Sequence, residues 1–196
     1  MWTPSDGRPT QCPPWEWTEL YEKDHQGWLD GTKHAEQTIH IGEIMQLAGD
    51  LRGKHVVDLG GGALLCRAVP ATGGRLTVVE YALTACRVVE ELGCEPIYQD
   101  IVEFLRFDTT KFDVALMFGV IDYLPPGSLD LLFERCPSPV LATGIPCGES
   151  YLQYKSRTCA YSRLDVLAAA SKHGWTVEDI EAERTSHTWG RFRRNL

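Results

Sequence analysis

Asp58-Leu59-Gly60-Gly61-Gly62 joins a short apolar run to a glycine turn, and its residue types suit a ligand site. Glycine at 60 and 62 lets the chain turn tightly and bring its backbone against a ligand, because no Cβ stands in the way. The same turn also serves to close a strand-helix junction. Asp58 lies two residues ahead of the first glycine, and Glu80 ends the next apolar run 22 residues later. That is where an α/β nucleotide site places a carboxylate to accept hydrogen bonds from a ribose diol. The dinucleotide pattern Gly-x-Gly-x-x-Gly fails at its third glycine, which would fall at Leu65, so NAD is disfavoured.

Further along, Asp100 ends Tyr98-Gln-Asp100 and can cap a helix starting at Ile101. Asp122 and Tyr123 follow a fourth apolar run; they are candidate catalytic polar groups or fix the turn before Pro125. His25, His34 and His187 are candidate bases, since imidazole titrates near neutrality. No histidine pair has metal-ligand spacing backed by carboxylates, so no metal is expected. Trp15, Trp17, Tyr21 and Trp28 form an aromatic cluster that can pack on a sheet edge or cover a site. Arg184, Arg191, Arg193 and Arg194 make a basic tail suited to gripping an anion or to a solvated terminal strand.

The elements that must position these residues alternate. Strands are expected at 55–59, 75–80, 96–100, 112–118 and 139–144. Helices are expected between Glu80 and Gly93, over 101–107 and 128–135, and from a capping-box start at Ser162 and Asp165. Strands apolar on both faces suit a sheet covered on both sides. Residues 175–183 and 185–193 read as two closing strands. Ahead of the sheet, residues 1–14 read as an irregular arm, and 32–51 as a helix weakened at Gly42. The pattern predicts an α/β three-layer sandwich with a mostly parallel sheet, an antiparallel C-terminal strand and an N-terminal helical cap. An arm and cap over 1–51 and a core over 52–196 form one folded domain, whose ligand site lies at the carboxyl ends of the strands.

Composition narrows the function classes. The chain has 196 residues, 43% hydrophobic and 23% charged, which suits one globular core. Nineteen basic residues against 27 acidic ones give a net charge of -8, which argues against a nucleic-acid partner. No apolar run is long enough to span a bilayer, and the first residues do not resemble a signal peptide, so a cytoplasmic protein without membrane association is expected. The seven cysteines, at 12, 66, 86, 94, 136, 147 and 159, contain no Cys-x-x-Cys pair, and most are expected to pack as small hydrophobes.

With these residues in view, the segment from about 54 to 183 resembles the class I S-adenosylmethionine-dependent methyltransferase family. Its first motif, acidic-x-Gly-x-Gly-x-Gly, is matched by Asp58, Gly60 and Gly62, with Leu64 in place of the last glycine. The resemblance implies that S-adenosylmethionine is the cofactor. It places Asp58 and the Gly60, Gly61 and Gly62 backbone at the methionine part, and Glu80, with Tyr81 beside it, at the ribose hydroxyls. Asp100 falls beside the adenine amino group with Ile101 on the ring, and Phe118 and Gly119 line the substrate side. Trp15, Trp17, Tyr21 and Trp28 are then the candidate lid, with Tyr21 and Trp28 as expected cofactor contacts, because aromatic faces stabilise a cation by roughly 0.5–2 kcal/mol.

The amine-methylating Asn/Asp-Pro-Pro-aromatic sequence is not matched, because Leu124-Pro-Pro-Gly lies too late and lacks both the amide and the aromatic residue. The expected reaction is methyl transfer to oxygen or nitrogen of a small-molecule metabolite by a monomer or homodimer, with Asp122, Tyr123, His34 and His187 as candidate catalytic groups. The alternatives are a lyase or cyclase on the same fold and a non-catalytic cofactor-binding partner subunit.

Overall fold

In a computed structural model, residues 14–125, 127–146, 161–181 and 187–195 are described. Three helices lead the chain: α1 (Pro14–Asp30), α2 (Thr32–Glu36) and α3 (Thr38–Ala48). Next come β1 (His55–Leu59), α4 (Ala68–Ala71), β2 (Arg75–Glu80), α5 (Leu83–Glu91), β3 (Glu95–Tyr98) and α6 (Ile101–Phe107). After β4 (Val114–Met117) and a short 3-10 turn (Ile121–Tyr123) lie α7 (Ser128–Arg135), β5 (Val140–Pro146), α8 (Arg163–Lys172), β6 (Trp175–Glu181) and β7 (His187–Arg194).

The strands form one sheet in the order β3-β2-β1-β4-β5-β7-β6. The pairs β1–β2, β1–β4, β2–β3 and β4–β5 are parallel. Strand β7 runs antiparallel to both β5 and β6. The expected α/β sandwich with its antiparallel C-terminal strand is therefore the observed architecture. Strand order reverses between β1 and β4, which opens a crevice at their carboxyl ends.

Both faces of the sheet are covered, and the pleat sorts side chains between them. On one face Val57, Leu59, Val79 and Met117 pack with Phe104, Leu132, Phe133 and Val166 from α6, α7 and α8. On the other, Val56, Val78 and Leu116 pack with Tyr21, Ile44, Leu47, Val88 and Val89 from α1, α3 and α5. The N-terminal helices thus share this second core cluster. Strand parity sets Asp58 on the same side as Val56, and Glu80 on the same side as Val78, so both carboxylates point toward the N-terminal helices.

Several local expectations need correction. The aromatic cluster is part of a 17-residue helix, α1, an element absent from the pattern of expected strands and helices. Helix α3 runs through Gly42, where an added Cβ would meet nothing within 4 Å. The break lies instead at Gln37, whose N–H bonds back to His34 and Ala35 and closes α2. In α8, Val166, Ala169 and Ala170 are buried, whereas Leu164 is 76% exposed. The capping box at Ser162 and Asp165 forms as expected, with Asp165 N–H donating to Ser162 Oγ at 3.2 Å.

The basic tail is structural where it is described. Arg191 donates to the carbonyls of Leu47 (2.8 Å) and Ala48 (3.0 Å), satisfying the C-terminus of α3. Arg194 donates to Phe133 O at 3.0 Å at the end of α7, and its guanidinium lies 4.8 Å from the Trp175 ring centroid. Arg191 and Arg193 both pair with Glu178. Arg184 lies outside the described residues.

Candidate functional site

A cavity of about 350 Å³ opens at the crevice between β1 and β4. Its floor comes from strand ends: Gly60 after β1, Glu80 and Tyr81 at β2, Asp100 and Ile101 after β3, and Phe118 to Val120 after β4. Its cover comes from the N-terminal helices, which contribute Trp17, Leu20, Tyr21, Trp28 and Gln37. Tyr123 and Leu124 complete the wall, with Tyr123 edge-on to Trp17 at 5.8 Å. Among the described residues that line it, two are carboxylates and none is Lys, Arg or His.

The two strand-end acids are held by backbone donors. Glu80 Oε1 accepts the N–H groups of Tyr81 (2.8 Å) and Ala82 (2.9 Å), which fixes its carboxylate at the cavity wall. Asp100 Oδ1 accepts Val102 N–H (2.8 Å) and Glu103 N–H (3.3 Å) as the N-cap of α6. Capping and cavity lining coincide at Asp100 because the helix begins where the strand ends.

Asp58 is different. It is 1% exposed, and neither carboxylate oxygen has a hydrogen-bond partner. The carboxylate is tucked beneath the glycine turn: a Cβ on Gly61 would stand 1.9 Å from Asp58 Oδ2. Burial pushes Asp58 up to about 8, and the nearby Glu80 charge adds to that. Burial also raises Glu80, to about 7, although the Ala82 and Tyr81 N–H groups pull the other way.

The glycine turn is gripped by the cap. Tyr21 Oη accepts the N–H of Ala63 at 3.0 Å, and His34 Nε2 donates to the carbonyl of the same residue at 3.0 Å. Tyr21 is 6% exposed and stacks on Trp28 at 5.5 Å, with the Trp28 ring edge-on to His34. A Cβ on Gly62 would fall 1.9 Å from Tyr21 Oη, so this close approach requires glycine, as does the positive φ of 53°. Burial raises the Tyr21 phenol and lowers the His34 imidazole.

The structure thus gathers Tyr21, Trp28, Gly60, Glu80, Tyr81, Asp100, Ile101, Phe118, Gly119 and Tyr123 around one cavity. Asp58, Gly61 and Gly62 shape the turn from behind the cavity wall. His34 is buried against the turn and does not line the cavity. His25 lies 3.4 Å from Glu91 and links α1 to α5. The side chains of Trp15, Asp122 and His187 lie outside the described set. Leu20, Gln37, Val120 and Leu124 line the cavity without having stood out by residue type; the i, i+3 and i, i+4 spacing of Trp17, Leu20 and Tyr21 is a usable helical signal. No metal-ligating cluster occurs among the described residues, and no described helix is long and apolar enough to cross a membrane.

No family model matches the sequence, and no curated protein sequence matches it. Solved structures do match. The chain is similar to DhpI in its complex with S-adenosylhomocysteine (14% identity over 90% of this chain and 94% of that one, TM-score 0.68). It is also similar to the magnesium protoporphyrin IX methyltransferase of Synechocystis PCC 6803 with bound S-adenosylmethionine (13% identity, 91% and 89% covered, TM-score 0.62). A third likeness is the mitomycin 7-O-methyltransferase MmcR (20% identity, TM-score 0.64), with 94% of this chain matched to 61% of that one. The chain has the Rossmann-like fold of class I S-adenosylmethionine-dependent methyltransferases.

Proposed function

We propose that this protein binds S-adenosylmethionine in the cavity between β1 and β4 and transfers its methyl group to oxygen or nitrogen of a small molecule. The observation that carries the reading is the set of strand-end groups around one cavity: Gly60, Glu80, Asp100 and Phe118, roofed by aromatic residues of α1. The donor set fits the group. Glu80 and Asp100 offer acceptors for hydroxyl and amino donors, and the unpartnered Asp58 carboxylate makes the turn favourable to a cation. Two of the fold neighbours are methyltransferases of small molecules, by name acting on magnesium protoporphyrin IX and on mitomycin.

S-adenosylmethionine supplies an electrophilic methyl carbon on a sulfonium. The chain's own work is to orient and to exclude water. Trp17, Leu20, Tyr21 and Trp28 cover the cavity, and Phe118 with Tyr123 bounds its acceptor side. Alignment alone supplies a large part of such a rate, with effective molarities reaching about 10⁵–10⁸ M in well-oriented systems. Tyr123, with Asp122 next to it in the chain, is the group nearest in role to a proton acceptor or acceptor-positioning residue.

Calorimetric titration with S-adenosylhomocysteine tests the cofactor site; absence of binding by the wild-type chain overturns it. Product analysis then decides the reaction. S-adenosylhomocysteine as product supports transfer, whereas methylthioadenosine supports a lyase or cyclase, and binding without turnover supports a partner subunit.

A further inference from the structure

Two cysteines 28 residues apart in sequence meet beside the glycine turn. Cys66 is buried just after the turn, and its Sγ donates to Gly62 O at 3.9 Å. Cys94, half-buried between α5 and β3, donates from Sγ to the carbonyl oxygen of Cys66 at 3.4 Å. Cys94 Sγ thus lies against the residue whose own thiol reaches the glycine turn, and the interaction between the two thiols holds Cys94 below the usual thiol range and pushes Cys66 up. Cys94 is the more accessible of the two sulfurs and the one a peroxide reaches first, and the buried Cys66 stands next to it as the resolving group. The other described cysteines differ. Cys86 is buried against the Glu80 carbonyl, and Cys136 is packed on the opposite face of the sheet.

We propose that Cys66 and Cys94 form an oxidation site in which a hydroperoxide converts the pair to a disulfide and thereby reshapes the glycine turn. The Cys94 thiolate attacks a peroxide oxygen, the O–O bond breaks, and the departing oxygen leaves as water after protonation. Cys94 is then a sulfenic acid. The Cys66 sulfur attacks Cys94 Sγ, the S–O bond breaks, and the oxygen leaves as a second water carrying the Cys66 proton. In total, two thiols and one hydrogen peroxide give one disulfide and two waters. Cys66 can no longer donate to Gly62, and the turn becomes tied to the start of β3. The effect on ligand affinity rests on the cofactor reading above; the covalent chemistry does not.

The test treats the reduced chain with increasing hydrogen peroxide, blocks residual thiols by alkylation, and digests without reductant. Arg67 and Arg87 place the two cysteines in separate tryptic peptides, 55–67 and 88–106. The expected result is a linked pair of these peptides, reversed by dithiothreitol and absent in Cys94→Ser. S-adenosylhomocysteine should bind the oxidised wild type about fivefold more weakly, the loss of one net hydrogen bond, and Cys94→Ser should keep its affinity after peroxide. The site is overturned if both residues remain alkylatable at peroxide levels that oxidise other cysteines. Coupling to the turn is overturned if linked and reduced protein bind equally. If the reduced chain binds no S-adenosylhomocysteine, the methyltransferase reading fails, and the linked peptides still decide the oxidation site.

Discussion

Charge is handled in opposite ways at two places in this molecule. In β7, Arg191 donates to the carbonyls ending α3 and pairs with Glu178, and Arg194 donates through one guanidinium nitrogen to carbonyls at the end of α7 while its buried Nε has no partner among the described residues. Beneath the glycine turn, Asp58 is buried with both oxygens unpartnered, and Glu80 adds a second carboxylate on the same face of the sheet. Paired charges that close helix ends stabilise the native chain. An unpaired buried carboxylate destabilises it. The carboxylate beneath the glycine turn therefore lacks the partners that most of the inward-turned guanidinium groups of β7 find.

Substitutions at the two places should separate. The largest effect is expected at Glu80→Ala, which removes a charged acceptor held at the cavity wall; S-adenosylhomocysteine should bind about 100-fold more weakly by calorimetry. Unchanged affinity would remove the site from this part of the sheet. Next, Arg191→Ala leaves the α3 carbonyls without their donor and should lower unfolding stability by about 2 kcal/mol in urea melts while leaving ligand affinity in place.

Asp58→Asn should act in the reverse sense, raising stability by about 1–2 kcal/mol near pH 8 while weakening ligand binding. Its pH dependence sharpens the contrast. A carboxyl whose native pKa stands above its unfolded value holds its proton longer when folded. Its contribution is complete below the ordinary carboxyl value and is lost as pH rises through the native one. With Asp58 at about 8 and Glu80 at about 7, the stability difference between Asp58→Asn and wild type should widen from about pH 4 to about pH 8. A difference that stays flat across that range would mean that Asp58 is ionised and partnered throughout. Cationic ligands should bind more tightly as pH rises through these two native values.

The smallest effect is expected at Tyr21→Phe, which removes the acceptor for Ala63 N–H and should lower stability by about 1 kcal/mol. Because a Gly62 Cβ would collide with the Tyr21 hydroxyl, Gly62→Ala should cost less in the Tyr21→Phe background than in wild type. Additive losses would show that the cap does not press on the turn.

Much of this site is legible in the order of residues along the chain. Alternating apolar runs mark the five parallel strands, and the acids at their ends, Glu80 and Asp100, line the cavity. Parity along a strand even fixes that Asp58 and Glu80 share a face, since side chains alternate every residue. The aromatic helix is readable in principle from the helical spacing of Trp17, Leu20 and Tyr21, but the prolines before it and the lack of an apolar stripe obscure it.

What the sequence determined by itself was local: period, turn chemistry and the order of chemical groups along the chain. Tertiary structure decided which distant groups meet. His34, a candidate base by type, donates through Nε2 to Ala63 O across 29 residues, and Tyr21 reaches Ala63 N–H across 42. Arg191 closes a helix 144 residues upstream, and Cys66 finds Cys94 behind the glycine turn. No periodicity encodes such pairings, because each depends on how packed layers bring buried polar groups within hydrogen-bond reach. A buried donor or acceptor must then take the partner that packing provides.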